Sequence, residues 1–347
     1  MKLLLPLLAL CALALPAHAE QYWLFDSSAK TLTLTDDDAA CTPVKVYNVA
    51  LQSSGGTALV KQSGNNGTAP YDGCGNGEAV LDLTLPIKDA EGTAYSLVAL
   101  NNNSFEGNNY IGKVKLPSTI TSVGQYSFRY CYHLKSFSFA DDTSALSNIG
   151  GCVFGDCTRL ESVLWPANIR EVGSYMFSGA SALQGFYFPA VTSIGANAFT
   201  STRNMRIVEF GGSAGDTITF AERSFQNQGG GAGNLKALLF HEATPVLGGG
   251  FETGGNNFLD HVGFNGLIVC LPMNAAKDDV SDVWKTWVQN YLAAFTGSTF
   301  TFPSKNQDGT WADGSWYHHA SYGPARKTYV IRYWDPDSTA TSALLAY

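Results

Sequence analysis

The side chains of this chain that could carry out hydrolysis are serine, histidine and aspartate, each of which occurs several times. A hydrolase needs a nucleophile, a base and an orienting acid that converge in one pocket. We predict no nucleophile elbow from the sequence, and no short motif brings the three residue types together. We therefore predict no catalytic residues, and the chain is not predicted to be an enzyme.

Candidate metal and cofactor motifs are also incomplete. His318 and His319 are neighbours, but adjacent residues of a strand point to opposite faces and do not easily bind one ion. Asp36–Asp38 lack the glycine and the distal glutamate of a calcium loop, which favours a solvated turn. The clusters Gly229–Gly231 and Gly248–Gly250 lack the Gly-Lys-Ser/Thr that holds phosphate at the start of a helix. The sequence predicts neither a metal nor a cofactor.

The elements that would have to position any functional residue are repeats. Phe128, Phe154, Phe177 and Phe199 follow one another at steps of 26, 23 and 22 residues, and Phe105 precedes them in register. This period is typical of a solenoid, in which no single repeat buries its apolar face alone. We therefore predict that the phenylalanines form a spine along one continuous core.

Each repeat continues into a short segment in which apolar residues alternate with others. Alternation with a period of two predicts strands, laid side by side in one long parallel sheet. The alternating pairs are Phe137/Phe139, Val163/Trp165, Phe186/Phe188 and Val208/Phe210. A glycine precedes each spine phenylalanine, which predicts a repeated turn where a Cβ would intrude or where φ is positive. These glycines are Gly124, Gly150, Gly173 and Gly195.

These positions resemble the BspA-type leucine-rich repeat, whose pattern is close to I-G-x-x-A-F-x-x-C-x-x-L-x-x-I-x-I-P. The match is carried by Gly195–Phe199, by two Cys/Leu pairs and by two prolines, namely Cys131/Leu134, Cys157/Leu160, Pro166 and Pro189. The resemblance implies an α/β solenoid, mostly β, with right-handed repeats and a parallel β-sheet. It also implies a surface or secreted protein that functions in adhesion or protein binding.

Composition narrows the class of partner. The formal net charge is −8, and only 14 % of the residues are charged. Nucleic acid requires a basic stripe that neutralises phosphates, so no nucleic-acid partner is predicted. Anionic lipid is excluded as a partner on the same ground.

The chain divides into five segments. An apolar run from Leu3 to Leu15, followed by Ala17-His18-Ala19, predicts a secretory signal peptide that is too short to span a bilayer. We expect the remaining chain to be secreted, periplasmic or displayed on the cell surface, without membrane insertion. The predicted segments are the signal peptide 1–19, an N-terminal cap region 20–94, leucine-rich repeats 95–272, a C-terminal capping helix 273–295 and an aromatic-rich β tail 296–347.

Both ends of the array have candidate caps. Two strand-forming runs, Tyr22–Phe25 and Thr31–Leu34, flank turn formers and predict a β-hairpin N-terminal cap. For the helical C-terminal cap, Asp278 or Asp279 is placed to cap the start and Gly297 to stop the helix. Spacings of three and four residues put one apolar stripe on a helical face, formed by Val280, Val283, Trp284, Trp287, Val288, Tyr291, Leu292 and Phe295.

The cysteines of an exported chain are candidates for disulfides. A bridge between Cys41 and Cys74 would close the N-terminal region. Cys131 and Cys157 occupy one repeat position, which also holds Ala180 and Thr202 in later repeats. Stacking would bring these two cysteines near each other, but we favour their interpretation as small buried fillers.

If the apolar strand positions point inward, the residues between them form an outer face. One predicted row consists of Lys115, Ser138, Leu164, Tyr187, Glu209 and Leu239, and a second of Ser136, Ser162, Gly185, Ile207 and Ala237. Such a mixture is typical of a protein-binding surface, and an ordinary solvent-exposed sheet face could also carry it. A protein partner bound at this face is the first hypothesis.

The alternative hypothesis is glycan recognition by the tail. Aromatic faces stack on sugar rings, and the tail contains Trp311, Trp316 and Trp334. Thr328–Trp334 is predicted to be a strand in a small β appendage.

Overall fold

A computed structural model of the chain describes residues 21–35, 45–52, 59–62, 74–141, 143–226, 235–246, 267–294, 297–318 and 327–334. The fold in these ranges is mostly β, with parallel sheets and little helix. The predicted signal peptide 1–19, Cys41, Asp36–Asp38 and His319 lie outside the described residues. No helix among the described ranges is long and apolar enough to cross a membrane.

Short strands form the N-terminal part of the chain. They are β1 (Trp23–Asp26), β2 (Thr31–Leu34), β3 (Lys45–Val46), β4 (Val49–Gln52), β5 (Leu59–Gln62), β6 (Ala79–Asp82) and β7 (Ile87–Lys88). The predicted hairpin is confirmed, since β1 and β2 pair antiparallel and the carboxylate of Asp26 accepts turn hydrogen bonds from the N–H groups of Ser28 and Ala29. The indole of Trp23 is fully buried and donates to the carbonyl of Asp82 at 2.8 Å, which fixes the hairpin to the first repeat strand.

Each repeat contributes two strands, which lie in separate rows. The strands after the leucine positions, here called front strands, continue from β6 as β9 (Ile111–Leu116), β11 (Ser136–Phe139), β13 (Ser162–Val163), β15 (Gly185–Phe188), β17 (Ile207–Phe210), β19 (Ala237–Phe240) and β21 (Ile268–Pro272). The others, here called back strands, are β8 (Ala94–Leu100), β10 (Ser122–Val123), β12 (Asn148–Ile149), β14 (Glu171–Val172), β16 (Ser193–Ile194), β18 (Thr217–Phe220) and β20 (Thr244–Pro245). The back strands are not part of the sequence prediction.

The front strands pair in parallel with equivalent repeat positions side by side, as in Phe137 with Val114 and Phe186 with Val208. The prediction of one long sheet was wrong, because the front row is divided between β13 and β15 and the back row between β12 and β14. The division coincides with Trp165, which replaces the phenylalanine of other repeats. Its larger indole packs edge-on at 5.5 to 6.1 Å from three rings of the following repeat, those of Phe177, Phe186 and Phe188.

The predicted phenylalanine spine, with Phe105 in register, is confirmed, and it extends by one further residue, Phe225. Successive rings stack with centroids 5.0 to 6.5 Å apart and interplanar angles of 4 to 16°, in the order Phe105, Phe128, Phe154, Phe177, Phe199 and Phe225. All six are buried. Since burying one such ring contributes about 1.5 to 3 kcal/mol, the spine is a large part of the cohesion between repeats.

A tight turn surrounds each spine phenylalanine. The residue two positions before the phenylalanine has a positive φ of 55 to 60° in every repeat, at Asn103, Tyr126, Cys152, Tyr175, Asn197 and Arg223. In this conformation the backbone N–H groups of the turn point at the next repeat. The N–H of Phe154, for example, donates to the carbonyl of Met176 at 3.0 Å. These bonds form a third ladder between repeats, which continues where the two sheets divide.

The repeated glycines serve close packing. A Cβ on Gly195 would lie 2.5 Å from the backbone nitrogen of Ser174, and one on Gly173 would lie 2.8 Å from the Cα of Gly151. Neither glycine has a positive φ. The repeat therefore requires glycine because neighbouring backbones touch at this point.

Helix α1 (Asp282–Ala294) follows the last repeat. Its first intrahelical bond runs from the N–H of Lys285 to the carbonyl of Ser281, so the predicted start at Asp278 or Asp279 was wrong. Asp279 instead accepts from the Tyr333 hydroxyl at 3.1 Å and from Lys285 at 2.9 Å. The Asp279 carboxylate therefore links the helix to the tail strand.

The apolar stripe of α1 packs on the end of the array. The indole nitrogens of Trp284 and Trp287 donate to the carbonyls of His241 and Pro245 at 3.0 and 2.7 Å. Gly297, the predicted stop signal, has a φ of 87°. The predicted stripe member Phe295 lies outside the described residues.

The C-terminal segment contains β22 (Thr299–Thr301), β23 (Ser304–Lys305), β24 (Trp311–Ala312), β25 (Gly314–His318) and β26 (Lys327–Trp334). The predicted strand is present, but it does not belong to a separate appendage. β26 pairs in parallel with β21 through five residue pairs and continues the front row, and β25 then pairs with β26 antiparallel. The unpaired edge of the last repeat strand provided the hydrogen-bonding groups for this addition.

Candidate binding surface

The predicted outer row lies in line across the front strands. Backbone register places Ser138 beside Lys115, and Tyr187 beside Glu209 and then Leu239. The row ends on the tail, since Leu239 pairs with Cys270 and Cys270 pairs with Arg332. Within each of the two front sheets the paired positions agree with the predicted row, and the structure adds Cys270 and Arg332 to it.

The first four positions of this row form an open surface, here called the open face (Lys115, Ser138, Leu164 and Tyr187). Leu164 is 66 % exposed and Tyr187 47 % exposed, one repeat apart. Lys115 is the first residue of the row in chain order, and its ammonium group pairs with the carboxylate of Asp82 at 2.8 Å. Ser138 is half-buried and donates weakly to the carbonyl of Val114 at 3.4 Å. The open face thus combines two exposed apolar groups with a charged and a polar group.

The later positions are covered. Ile207 and Leu239 are buried in a second, smaller apolar cluster together with Ala237, Cys270 and Trp334, here called the outer cluster. Their prediction as members of an open binding row was therefore wrong. The sequence pattern assigned them to the correct side of the sheet but gave no sign that apolar groups of the tail pack against that side.

Polar contacts mark the border between the two parts of the face. Glu209 Oε1 accepts a hydrogen bond from His241 Nε2 at 2.9 Å. The His241 ring packs 6.2 Å from the Tyr187 ring and 5.0 Å from the Trp334 ring. Partial burial, and then the nearby Glu209 carboxylate, raise the pKa of the Tyr187 phenol. Tyr187 therefore stays protonated near neutral pH and can donate a hydrogen bond. The sequence pattern gave no sign of this contact.

The tail tryptophans do not form an aromatic platform. Trp316 and Trp334 are buried, and Trp311 is half-buried. The Trp316 ring packs 5.9 Å from Trp287 and 5.2 Å from Tyr291 of the helix, which places it in the core. The expectation that Trp316 and Trp334 contact a glycan was wrong, because apolar packing between the tail and the array takes up their ring faces.

The cysteines are structural. Cys74 is disulfide-bonded, and its predicted partner Cys41 lies outside the described residues. Cys131 and Cys157 are free, fully buried thiols that donate to the carbonyls of Phe105 and Phe128 at 3.2 and 3.1 Å. Burial raises the pKa of both thiols, so they remain uncharged. The prediction that they fill a small buried slot is confirmed.

Groups of three or more possible metal ligands do not occur among the described residues. Leu164 and Tyr187 of the open face are among the large apolar side chains that are exposed on the described surface. Large, exposed apolar groups on a rigid strand row suit contact with another molecule.

Several solved protein structures are similar to this chain. No curated protein matches the chain. A solved leucine-rich repeat protein of T. pallidum is similar to it, with 20 % identity and a TM-score of 0.45 over 71 % of this chain and 92 % of the other. A leucine-rich cell surface protein from Faecalibacterium prausnitzii is similar with 15 % identity and a TM-score of 0.42 over 83 % of this chain and 60 % of the other. The pneumococcal vaccine antigen PcpA gives 15 % identity and a TM-score of 0.38, covering 61 % and 52 %.

The family assignment rests on the repeat motif. The model of the BspA type leucine rich repeat region matches residues 98–229 in six copies. The matched range contains the whole phenylalanine spine and most of the front and back strands. Residues 98–229 are therefore a BspA-type leucine-rich repeat region, as the repeat motif predicts.

Proposed function

We propose that this chain is a secreted or surface-exposed binding protein without catalytic activity, and that it docks a protein partner on the open face. The observation that carries the proposal is the exposure of Leu164 and Tyr187 at a repeat position where Leu239 is fully buried. An apolar group left uncovered at a position that the same chain covers elsewhere is available to a partner. The predicted signal peptide 1–19 supports export.

The physical features of the open face suit protein recognition. Tyrosine supplies a large contact area with few rotatable bonds, and its phenol remains able to donate. The strands beneath it are held by the phenylalanine spine, so little conformational entropy is lost when a partner binds. Lys115 and Ser138 provide a polar rim beside the apolar groups.

The two ends of the array are proposed to act as caps of a solenoid. The β1–β2 hairpin pairs with β7 at one end, while β26 and helix α1 cover β21 and the last repeat at the other. Caps of this kind protect strand edges that would otherwise pair with other chains. They leave the open face as the side that faces a partner.

The test compares the affinity of two variants and of the wild-type chain for a purified partner protein. A protein captured on the wild-type chain from the culture medium of the source organism or its host is identified, purified and titrated by calorimetry. Leu164→Glu combined with Tyr187→Glu is expected to lower its affinity about a hundredfold, since two contact residues are each replaced by a charge. The matched control is Leu51→Glu, an exposed leucine on β4.

The control variant should bind like the wild type. Equal affinity of all three proteins, with unchanged thermal unfolding, would contradict docking on the open face. Loss of binding in the control alone would place the contact on the N-terminal strands.

A further inference from the structure

A second recognition site lies on the tight-turn side of the array, away from the open face. Tyr126, Cys152 and Tyr175 occupy the same positive-φ position in three successive repeats. The backbone ladder fixes their order, because the N–H of Tyr126 donates to Gly151 at 3.2 Å and that of Cys152 to Ser174 at 2.9 Å. Two tyrosines therefore flank one cysteine.

The small cysteine leaves a groove between the tyrosines, here called the tyrosine groove. Its volume is about 480 Å³, and its lining consists of Gln125, Tyr126, Arg129, Gly151, Cys152, Asp156, Ser174, Tyr175 and Ser178. Hydrogen-bonded backbones lie ~4.8 Å apart, so the two tyrosines are separated by ~10 Å. A ring stacked between two others needs ~9 Å or more, since stacked centroids lie ~4.5 Å or more apart. The groove thus accepts one ring.

One wall of the groove is held in place. The guanidinium of Arg129 lies over the Tyr126 ring at 5.3 Å and over the Tyr130 ring at 4.2 Å, and it donates to the Tyr130 hydroxyl. Glu106 pairs with Arg129 at 3.9 Å from the other side. On the opposite wall, Tyr175 is 49 % exposed and free to stack. The site therefore has one preorganised wall and one accessible wall.

The polar groups around the groove both donate and accept. Arg129 carries N–H donors, and its Nε is buried without a hydrogen-bond partner. The side chains of Gln125, Ser174 and Ser178 can each donate or accept a hydrogen bond. The carboxylate of Asp156 adds a strong acceptor on the lining. This mixture matches a ligand whose hydroxyls donate and accept around an apolar ring face.

We propose that the tyrosine groove binds a single pyranose ring of a neutral saccharide. The carboxylates of Asp156 and Glu106 would repel a phosphate. The guanidinium of Arg129 would repel a simple cation. A purely apolar ring would leave the polar lining unpaired, which is costly when the groups are desolvated. A sugar ring offers C–H faces to the two tyrosines and hydroxyls to the polar rim.

The test uses the purified chain with cellobiose, maltose, lactose and chitobiose as probes. Saturation-transfer NMR detects contact of ring protons with the protein, and titration calorimetry gives the affinity. Tyr175→Ala is expected to weaken binding about tenfold, the effect of losing one stacking partner. Cys152→Tyr is expected to abolish binding, since it fills the slot with a residue that the same backbone conformation already accepts at Tyr126 and Tyr175.

The matched control is Tyr132→Ala, an exposed tyrosine that does not line the groove. It should leave sugar binding unchanged. Thermal unfolding of each variant separates loss of the site from loss of the fold. Binding that survives both Tyr175→Ala and Cys152→Tyr would overturn the proposal.

An independent measurement uses the thiol at the centre of the groove. Cys152 is free and half-buried, while Cys131, Cys157 and Cys270 are buried, so iodoacetamide should modify Cys152 first among these four. A saturating bound sugar is expected to slow alkylation of Cys152 at least severalfold, as measured by peptide mass spectrometry. Absence of binding by all four probes, or binding of a proline-rich peptide in their place with the same protection, would overturn the saccharide assignment.

Discussion

The two parts of the outer sheet face differ although they use the same repeat positions. Leu164, which directly follows β13, and Tyr187 on β15 are exposed. Leu239 on β19, at the same repeat position, is buried in one cluster with Trp334. β15 and β19 have the same direction and, through β17, the same register, so local strand structure does not cause the difference between Tyr187 and Leu239. The tail strand β26 causes it, because it adds to the end of the row and contributes Trp334.

This contrast shows how a repeat array acquires a localised surface. Repetition alone would produce a uniform face, since each repeat presents equivalent positions. Covering one part with the tail restricts the exposed apolar groups to the remaining part. A binding site in such a protein is thus defined as much by what the ends of the chain cover as by the repeats themselves.

The largest effect is expected from removing Trp334, the tail residue that packs with the buried Leu239. Trp334→Ala is expected to lower the free energy of unfolding by about 3 to 5 kcal/mol, because it empties a buried site and loses the indole hydrogen bond to the Phe240 carbonyl. Guanidinium denaturation measures the change. Trp311→Ala, at a half-buried tail tryptophan, is the matched control and should cost clearly less. Equal losses would show that Trp334 has no special covering role.

A second test compares the same side chain in the two parts. Leu239→Ala is expected to cost about 2 to 5 kcal/mol because the leucine is fully buried. Leu164→Ala should change the free energy of unfolding by less than about 0.5 kcal/mol, as is usual for exposed positions. Denaturation of both variants under the same conditions checks the prediction. A large loss for Leu164→Ala would mean that the open face is covered in solution.

The smallest expected effect concerns the link between the helix and the tail. A hydrogen bond from Lys285 lowers the pKa of Asp279, and burial opposes this shift only in part. A carboxyl group with a lowered pKa stabilises the fold fully above its ordinary pKa of 3.8, and this contribution is lost as the pH falls through the lower folded value. Because the Asp279 side chain is 47 % exposed, solvent screens the pair and Asp279→Asn should cost less than about 1 kcal/mol.

Denaturation from pH 7 to pH 2 tests this prediction. The difference between wild type and Asp279→Asn should be constant near neutral pH and should shrink below about pH 4. Lys285→Met should remove most of the same pH dependence, because it removes the hydrogen bond that is the largest cause of the lowered Asp279 pKa. A difference that persists unchanged at pH 2 would show that another group anchors β26 to α1.

Much of the fold was predictable because its signals are local and repeated. Large apolar residues at one period predicted the spine from Phe128 to Phe199, and alternation predicted the front strands. The back strands were missed because several contain only two residues, such as Ser122–Val123 and Glu171–Val172, too few to show alternation. The positive φ at Tyr126, Cys152 and Tyr175 was missed because glycine, the usual signal, is absent there.

The sequence by itself determined the repeat period, the inward and outward sides of each front strand, and the residues of the spine, since all three follow from the spacing of apolar residues along the chain. Only the tertiary structure decided which outward residues remain open and that two tyrosines flank a groove. Trp334 donates to a carbonyl 94 residues away in the chain, and Tyr126 and Tyr175 lie in different repeats. Exposure depends on such long-range contacts, which local periodicity does not encode.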